Sequence, residues 1–249
     1  MKIGVALGGG AARGYAHIGV LKALEHRGIR PDYVAGCSMG ALIGAIYCTG
    51  ISIDMLEELA ITITPKYWLD PSLSRTGLLQ GKKLESVIAT LTGNRKMEDL
   101  AIPFWAVATD VMASEPYIFK SGSIATAVRA STAIPAVFEP VYLDDRILVD
   151  GGFVDLIPAD LVKEMGADII IAVNVGFSSA SINPSNAAEL LMLSIDTLQK
   201  QLYKYKAIDA DYIIRPDVSD IKPNQFDKAQ DCIKIGERAA EQALEAYDM

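Results

Sequence analysis

Short apolar runs alternate with stretches of helical period through the first 175 residues. Positions 3–7, 33–35, 104–109 and 169–175 are brief, apolar and mostly rich in β-branched side chains, which marks buried parallel strands. Between them, 14–27, 41–49, 82–91, 123–129 and 159–165 repeat apolar positions at helical spacing. That alternation predicts a layered α/β fold around a mainly parallel sheet. The stretch "VYLDDRILVD", 141–150, breaks the pattern: two short runs flank 144–146 and predict a hairpin with a tight turn. From about Pro184 the chain turns helical, with an amphipathic stretch over 187–206 and a closing helix over 229–247. No repeat or low-complexity linker interrupts it, so one domain over 1–249 is expected.

Two segments admit more than one role. Residues 62–79 hold two prolines, the pair Tyr67 and Trp68, and no clear period. They read as a mobile cover over a site or, in keeping with most long connections, as a packed surface loop. The 187–206 stretch sets Leu190, Leu191, Leu193, Ile195 and Leu198 ahead of Lys200, Lys204 and Lys206. An interfacial helix fits that order, but packing of the apolar side on the core is the commoner outcome.

Composition narrows the function classes. With 31 acidic and 23 basic residues the net charge is −8, which argues against general nucleic-acid binding and gives no long-range pull toward anionic membranes. No apolar run reaches the roughly 18–20 residues of a membrane span. The glycine-rich start is a poor signal peptide. Three cysteines without a framework spacing suit a reducing compartment. The expectation is a cytoplasmic protein with at most transient, peripheral membrane contact. No His/Cys ligand cluster is evident, so no metal is expected.

The candidate chemistry sits at strand ends. Ser38, between Gly36 and Gly40, joins a strand to a small-residue helix, the form of a nucleophile elbow. The helix start would put positive potential near the hydroxyl. Gly8, Gly9 and Gly10 also join a strand to a helix and expose backbone N–H groups, suited to a phosphate or an oxyanion. Arg13 stands where a dinucleotide fingerprint needs glycine, and no Gly-Lys-Ser/Thr follows, so both phosphate-loop readings fail and the oxyanion role is favoured. A serine nucleophile needs a base. The two histidines, His17 and His26, both precede Ser38, whereas an α/β-hydrolase places its histidine last. His17 reads as a packed helix residue and His26 as a solvated helix end. A carboxylate is the remaining common base. Asp150, ending a strand ahead of Gly151 and Gly152, is the first candidate; Asp155 and Asp110 are weaker ones.

These pieces together resemble the patatin-like phospholipase family: the loop Gly8–Gly9–Gly10 with Arg13–Gly14, the elbow Gly36–Cys37–Ser38–Met39–Gly40, the turn Asp150–Gly151–Gly152, and "RASTAIPAVFEPV", 129–141, before it. The likeness spans residue 2 to about 175, and its loop spacing is that of bacterial members. It implies a three-layer α/β/α fold and a Ser38–Asp150 dyad that cleaves lipid acyl esters through an acyl-enzyme without a cofactor. Backbone N–H groups around Gly9–Ala11 would hold the oxyanion. Arg13 would order the glycine loop or meet a polar head group. An acyltransferase and a non-enzymatic lipid- or partner-binding regulator are the alternatives. The first lacks a later histidine, and the second does not need an intact Ser38, Asp150 and glycine loop.

Overall fold

A computed structural model describes residues 1–74, 76–176, 184, 187–205 and 208–246. In chain order its elements are β1 (Ile3–Leu7), α1 (Ala16–His26), β2 (Tyr33–Cys37), α2 (Met39–Cys48), α3 (Ile53–Thr62), β3 (Gly77–Leu79), α4 (Lys82–Leu91), β4 (Phe104–Asp110), β5 (Glu115–Phe119) and α5 (Ile124–Ser131). They continue as β6 (Ala136–Phe138), β7 (Val141–Leu143), β8 (Arg146–Asp150), α6 (Ala159–Glu164), β9 (Ile169–Val173), α7 (Ala187–Tyr205), β10 (Tyr212–Ile214) and α8 (Ala229–Ala246). The expected helix ends at 206 and 247, and position 75 of the 62–79 stretch, lie outside the described residues.

The main sheet runs β10-β9-β1-β2-β4-β8-β7, with β5 also on β4. The five strands from β10 to β4 are parallel, while β5, β8 and β7 join antiparallel. The mainly parallel sheet is therefore correct for the centre, and the predicted hairpin supplies its far edge. Because strand side chains alternate faces, the core divides. Val5, Leu7, Val34 and Phe104 pack under α1, α2 and α5, whereas Ala6, Ala35, Cys37 and Val107 pack under α6. Helices on both faces make the three layers that both the periodicity and the resemblance imply. On the first face α8 lies against α1 at backbone contact. A Cβ on Gly19 would fall 1.9 Å from the Ile233 carbonyl oxygen, and one on Gly236 2.0 Å from that of Ala16.

Register brings three loops to one end of the sheet. Leu7 pairs with Gly36, Cys37 with Val107, and Ala108 with Asp150. The residues just past β1 and β2 and the last residue of β8 therefore meet around β4, although 112 positions separate Ser38 from Asp150.

The 62–79 stretch is tied down, as the loop reading expected. The Asp70 carboxylate accepts the Gly81 and Lys83 N–H groups at 2.9 Å each, and Trp68 packs edge-on against Phe226, ring centroids 5.2 Å apart. Its end, β3, pairs with β6. Buried Arg129 fixes the same region by donating to the carbonyls of Gly81 (3.2 Å), Gln80 (2.8 Å) and Glu139 (2.6 Å). Arg129→Met strips all three carbonyls of a donor, and urea unfolding should show a loss of about 3 kcal/mol. A loss under about 1 kcal/mol would mean the clamp is redundant. Helix α3, begun by Ser52 accepting the Met55 N–H at 3.3 Å, is an element the periodicity did not predict.

Candidate active site

Ser38 occupies the turn between β2 and α2 with φ +52° and ψ −122°, a conformation that costs a non-glycine residue on the order of 1–3 kcal/mol. The turn forces close passage. A Cβ on Gly36 would lie 2.5 Å from the Gly40 oxygen, and one on Gly40 2.1 Å from the Leu7 oxygen, so both positions exclude any side chain. The Ser38 N–H donates to Ser131 Oγ at 2.8 Å, which fixes the elbow from the end of α5. Only 6% of Ser38 is exposed, against the open position expected of such a turn; the cavity it lines is shared with Ile195, Asp196 and Gln199 of α7.

Asp150 is 4% exposed and sits beside Ser38. Burial pushes its carboxyl up to about 6, and the neighbouring Ser38 hydroxyl and the Gly152 N–H pull the other way. Oδ1 accepts the Gly152 N–H at 2.8 Å; among the described residues the buried Oδ2 has no hydrogen-bond partner. Gly151 has no room for a side chain either, since its Cβ would lie 2.3 Å from the Val107 oxygen. The carbonyl of Asp150 accepts the Thr109 hydroxyl at 2.8 Å.

The glycine loop divides its labour differently from the expectation. The Gly8 N–H is committed to the Val173 carbonyl (3.1 Å) and the Gly9 N–H to that of Leu156 (2.9 Å). Those two residues anchor the loop, and Gly8 lines neither cavity of the site. Among the described residues, the Gly10 and Ala11 N–H groups have no partner, and Ala11 is held at φ +48°. Arg13 is buried. Its Nε donates to the Gly10 carbonyl (3.3 Å) and its guanidinium pairs with Asp196 of α7 at 2.9 Å.

His17 is not beside Ser38 but under the loop. Its Nε2 lies 2.7 Å from the Gly8 carbonyl oxygen, so it carries the proton and donates. Complete burial lowers its pKa to about 4, and the ring is neutral near pH 7. It packs in its helix as expected, with a loop-holding bond that sequence did not reveal. His17→Leu should cut turnover about tenfold by loosening the loop, while any rate limb near pH 6 stays in place; loss of that limb would make His17 the titrating group. His26 is exposed at its helix end, Nδ1 3.9 Å from Glu237. Asp110 is engaged by Arg146 at 2.7 Å and by the amides of its own turn, and Asp155 lines a separate cleft.

Two cavities meet at Ser38 and Ala11. One, of about 880 Å³ with its open mouth, is walled by apolar side chains of α2, α3 and α4 with Trp68, Phe138 and Phe226. The other, of about 460 Å³, contains Gly9, Gly10, Arg13 and Asp150, and is roofed by Ile195, Asp196 and Gln199 of α7. Ser131 and these α7 residues escaped the sequence reading. Ser131 lies inside the 129–141 segment without distinguishing itself, and nothing local marks α7 as part of a site. Its apolar side is also less buried than expected: among its described residues only Ile195 is buried, while Leu190, Leu198 and Leu202 are more than half exposed. Among the described residues no group of His, Cys, Asp and Glu could hold a metal, and no helix is long and apolar enough to cross a membrane.

The chain is similar to known proteins to different depths. An NTE family protein of Mycobacterium tuberculosis is 40% identical over 191 residues, 76% of this chain and 52% of that one. Human patatin-like phospholipase domain-containing protein 6 is 37% identical over 182 residues, 70% of this chain but 13% of its own length. The chain thus spans about half the length of the mycobacterial relative and a small part of the human one. The crystal structure of VipD from Legionella pneumophila matches with a TM-score of 0.71 over 98% of this chain and 67% of that one; at 16% identity this is a likeness of fold. The family model for patatin-like phospholipases matches residues 5–163, a span that contains the glycine loop, the Ser38 elbow and the Asp150 turn, and the chain belongs to that family.

Proposed function

We propose that this protein is a serine hydrolase of lipid acyl esters, with Ser38 as nucleophile and Asp150 as base. The observation that carries the reading is the position of Ser38. A strained serine stands where an apolar cavity meets a polar chamber, beside a buried carboxylate and two unpaired N–H groups.

An acyl chain lies in the apolar cavity and its carbonyl carbon faces Ser38. Oγ attacks as its proton passes to Asp150 Oδ2, the oxygen that Gly152 leaves free. The Gly10 and Ala11 N–H groups take the charge on the carbonyl oxygen; donors of this kind contribute about 3–4 kcal/mol. The intermediate collapses to the acyl-enzyme as Asp150 returns the proton to the leaving alcohol. Water then enters and attacks the acyl carbon as its proton passes to Asp150; the bond to Ser38 Oγ breaks, Oγ takes that proton back from Asp150, and the acid is released. A carboxylate of ordinary pKa is a weak base for a serine hydroxyl. A pKa of about 6 makes Asp150 a stronger one. Exposed Tyr67, Leu69, Leu73 and Leu78, close in sequence to the cavity residues Ile63 and Trp68, offer contact with a lipid surface.

The test is hydrolysis of p-nitrophenyl butyrate and a lysophospholipid, with fluorophosphonate labelling. Wild type should turn over both and label at Ser38, and kcat/KM should rise with pH through about 6 as Asp150 loses its proton. An added alcohol or thiol acceptor separates hydrolysis from transfer. Turnover that survives Ser38→Ala overturns the assignment.

A further inference from the structure

In the acyl-enzyme the apolar cavity holds the acyl chain, so water comes to Asp150 from the polar side. There the chamber adjoins a third cleft, of about 570 Å³, and the two share Gly152, Leu156 and Gln199. Half-buried Gln199 of α7 thus borders both the cleft and the dyad. Its amide lies against the aspartate turn. A Cβ on Gly152 would fall 2.4 Å from Gln199 Nε2 and 3.1 Å from Asp150 Oδ1, so amide and carboxylate flank one small space. A side chain at 152 would push the amide out of it.

The amide is free to bind. Among the described residues it has no hydrogen-bond partner, whereas Arg13 and Asp196, also in the chamber, are paired with each other. A carboxamide offers two donor hydrogens and an acceptor oxygen, and its last torsion has two broad settings that exchange them. Asp150 Oδ2 is the second free acceptor among the described residues. A water between the two gives one hydrogen to each oxygen and keeps its lone pairs for the acyl carbon. An alcohol has one such hydrogen. With that hydrogen on Asp150, its carbon faces the Gln199 oxygen and leaves it unpaired, which is costly away from solvent.

We infer that Gln199 holds the water that releases the acyl group, and so favours hydrolysis over transfer to an alcohol. The inference rests on the hydrolase reading. The water oxygen attacks the acyl carbon while one hydrogen passes to Asp150 Oδ2 and the other stays on the oxygen, donated to Gln199 Oε1. The bond to Ser38 Oγ then breaks, Oγ takes the proton from Asp150, and the acid leaves. With an alcohol in place of water the same steps yield its ester.

The experiment is stopped-flow turnover of p-nitrophenyl butyrate by the full chain, wild type against Gln199→Met, with and without 1-butanol. Methionine keeps the reach of the side chain and removes its hydrogen-bonding end. In the variant kcat should fall about tenfold, while kcat/KM, which reports acylation, stays within twofold. p-Nitrophenol should appear in a burst approaching one equivalent per chain, and intact mass should show a butyryl group on Ser38. The ratio of butyl butyrate to butyric acid should rise at least fivefold. Equal losses in kcat and kcat/KM without a burst would show that Gln199 only packs the site, and an unchanged product ratio would show that it does not choose the acceptor; either overturns the inference. Both leave the hydrolase reading standing while wild type turns over and Ser38→Ala does not. A wild type that neither turns over nor labels at Ser38 overturns that reading and this inference together.

Discussion

Asp150→Asn will lose turnover by about 10³–10⁴-fold and gain stability at neutral pH. Both effects have one cause. Burial raises the carboxyl from its usual value near 3.8 to about 6. The folded protein therefore favours the neutral acid. A group whose pKa is higher in the folded state contributes its stability fully below the unfolded pKa and loses it as pH rises toward the folded one. Above about 6 the folded protein carries a charged carboxylate at a cost on the order of 3 kcal/mol. Asparagine keeps the shape and the acceptor for the Gly152 N–H without the charge, so urea unfolding at pH 8 should show a gain approaching that size. His17 works in the opposite direction: its pKa of about 4 lies below the unfolded value near 6.5, so stability rises with pH across that window. The two slopes oppose each other between about pH 4 and 6, so a flat wild-type profile there is uninformative. The difference between wild type and Asp150→Asn isolates the carboxyl. An unchanged midpoint at pH 8 would mean that Asp150 is not desolvated.

Ser38→Gly should be equally inactive and more stable than Ser38→Ala by about 1 kcal/mol. Alanine keeps the Cβ that φ +52° disfavours, whereas glycine tolerates that conformation. The relief exceeds the entropy that glycine adds to the unfolded chain, which is about 0.5–1 kcal/mol. Thermal or urea unfolding of the two variants, neither with a nucleophile, compares backbone strain directly. Equal stabilities would show that the elbow is relaxed and that its serine is held by tertiary contacts such as the Ser131 bond.

What could be read from the sequence follows the range of the interactions. The centre of the sheet, α1, α2 and the two turns at Gly8 and Gly36 are written in local periodicity and glycine placement. The 141–150 hairpin was legible too, its turn opening at Asp144 with φ +50°. Asp150 emerged from the want of a later histidine and from the two glycines behind it, not from any local signal of a base. Short or half-exposed strands were invisible: β5 contains Pro116 and is exposed at one end, and β3, β6 and β10 have three residues each. The amides that anchor the glycine loop could not be assigned, because their acceptors, Val173 and Leu156, are distant in sequence. Asp196 and Gln199 reach the site from a helix whose period says only that it is amphipathic.

The two cavities are built from different kinds of interaction. Around Ser38 and Asp150 nearly every constraint is a hydrogen bond to backbone, and even a methyl group is excluded at Gly36, Gly40 and Gly151. The wall of the larger cavity on α3 and α4, with Leu56, Leu59, Leu84, Ile88 and Leu91, is made by side-chain packing. Lineages descended from such an ancestor can exchange one apolar residue for another along that wall, at small cost when volume is conserved, and so retune which chains are accepted. The bond-making frame has no such latitude, so diversification in this architecture runs through diet rather than through chemistry.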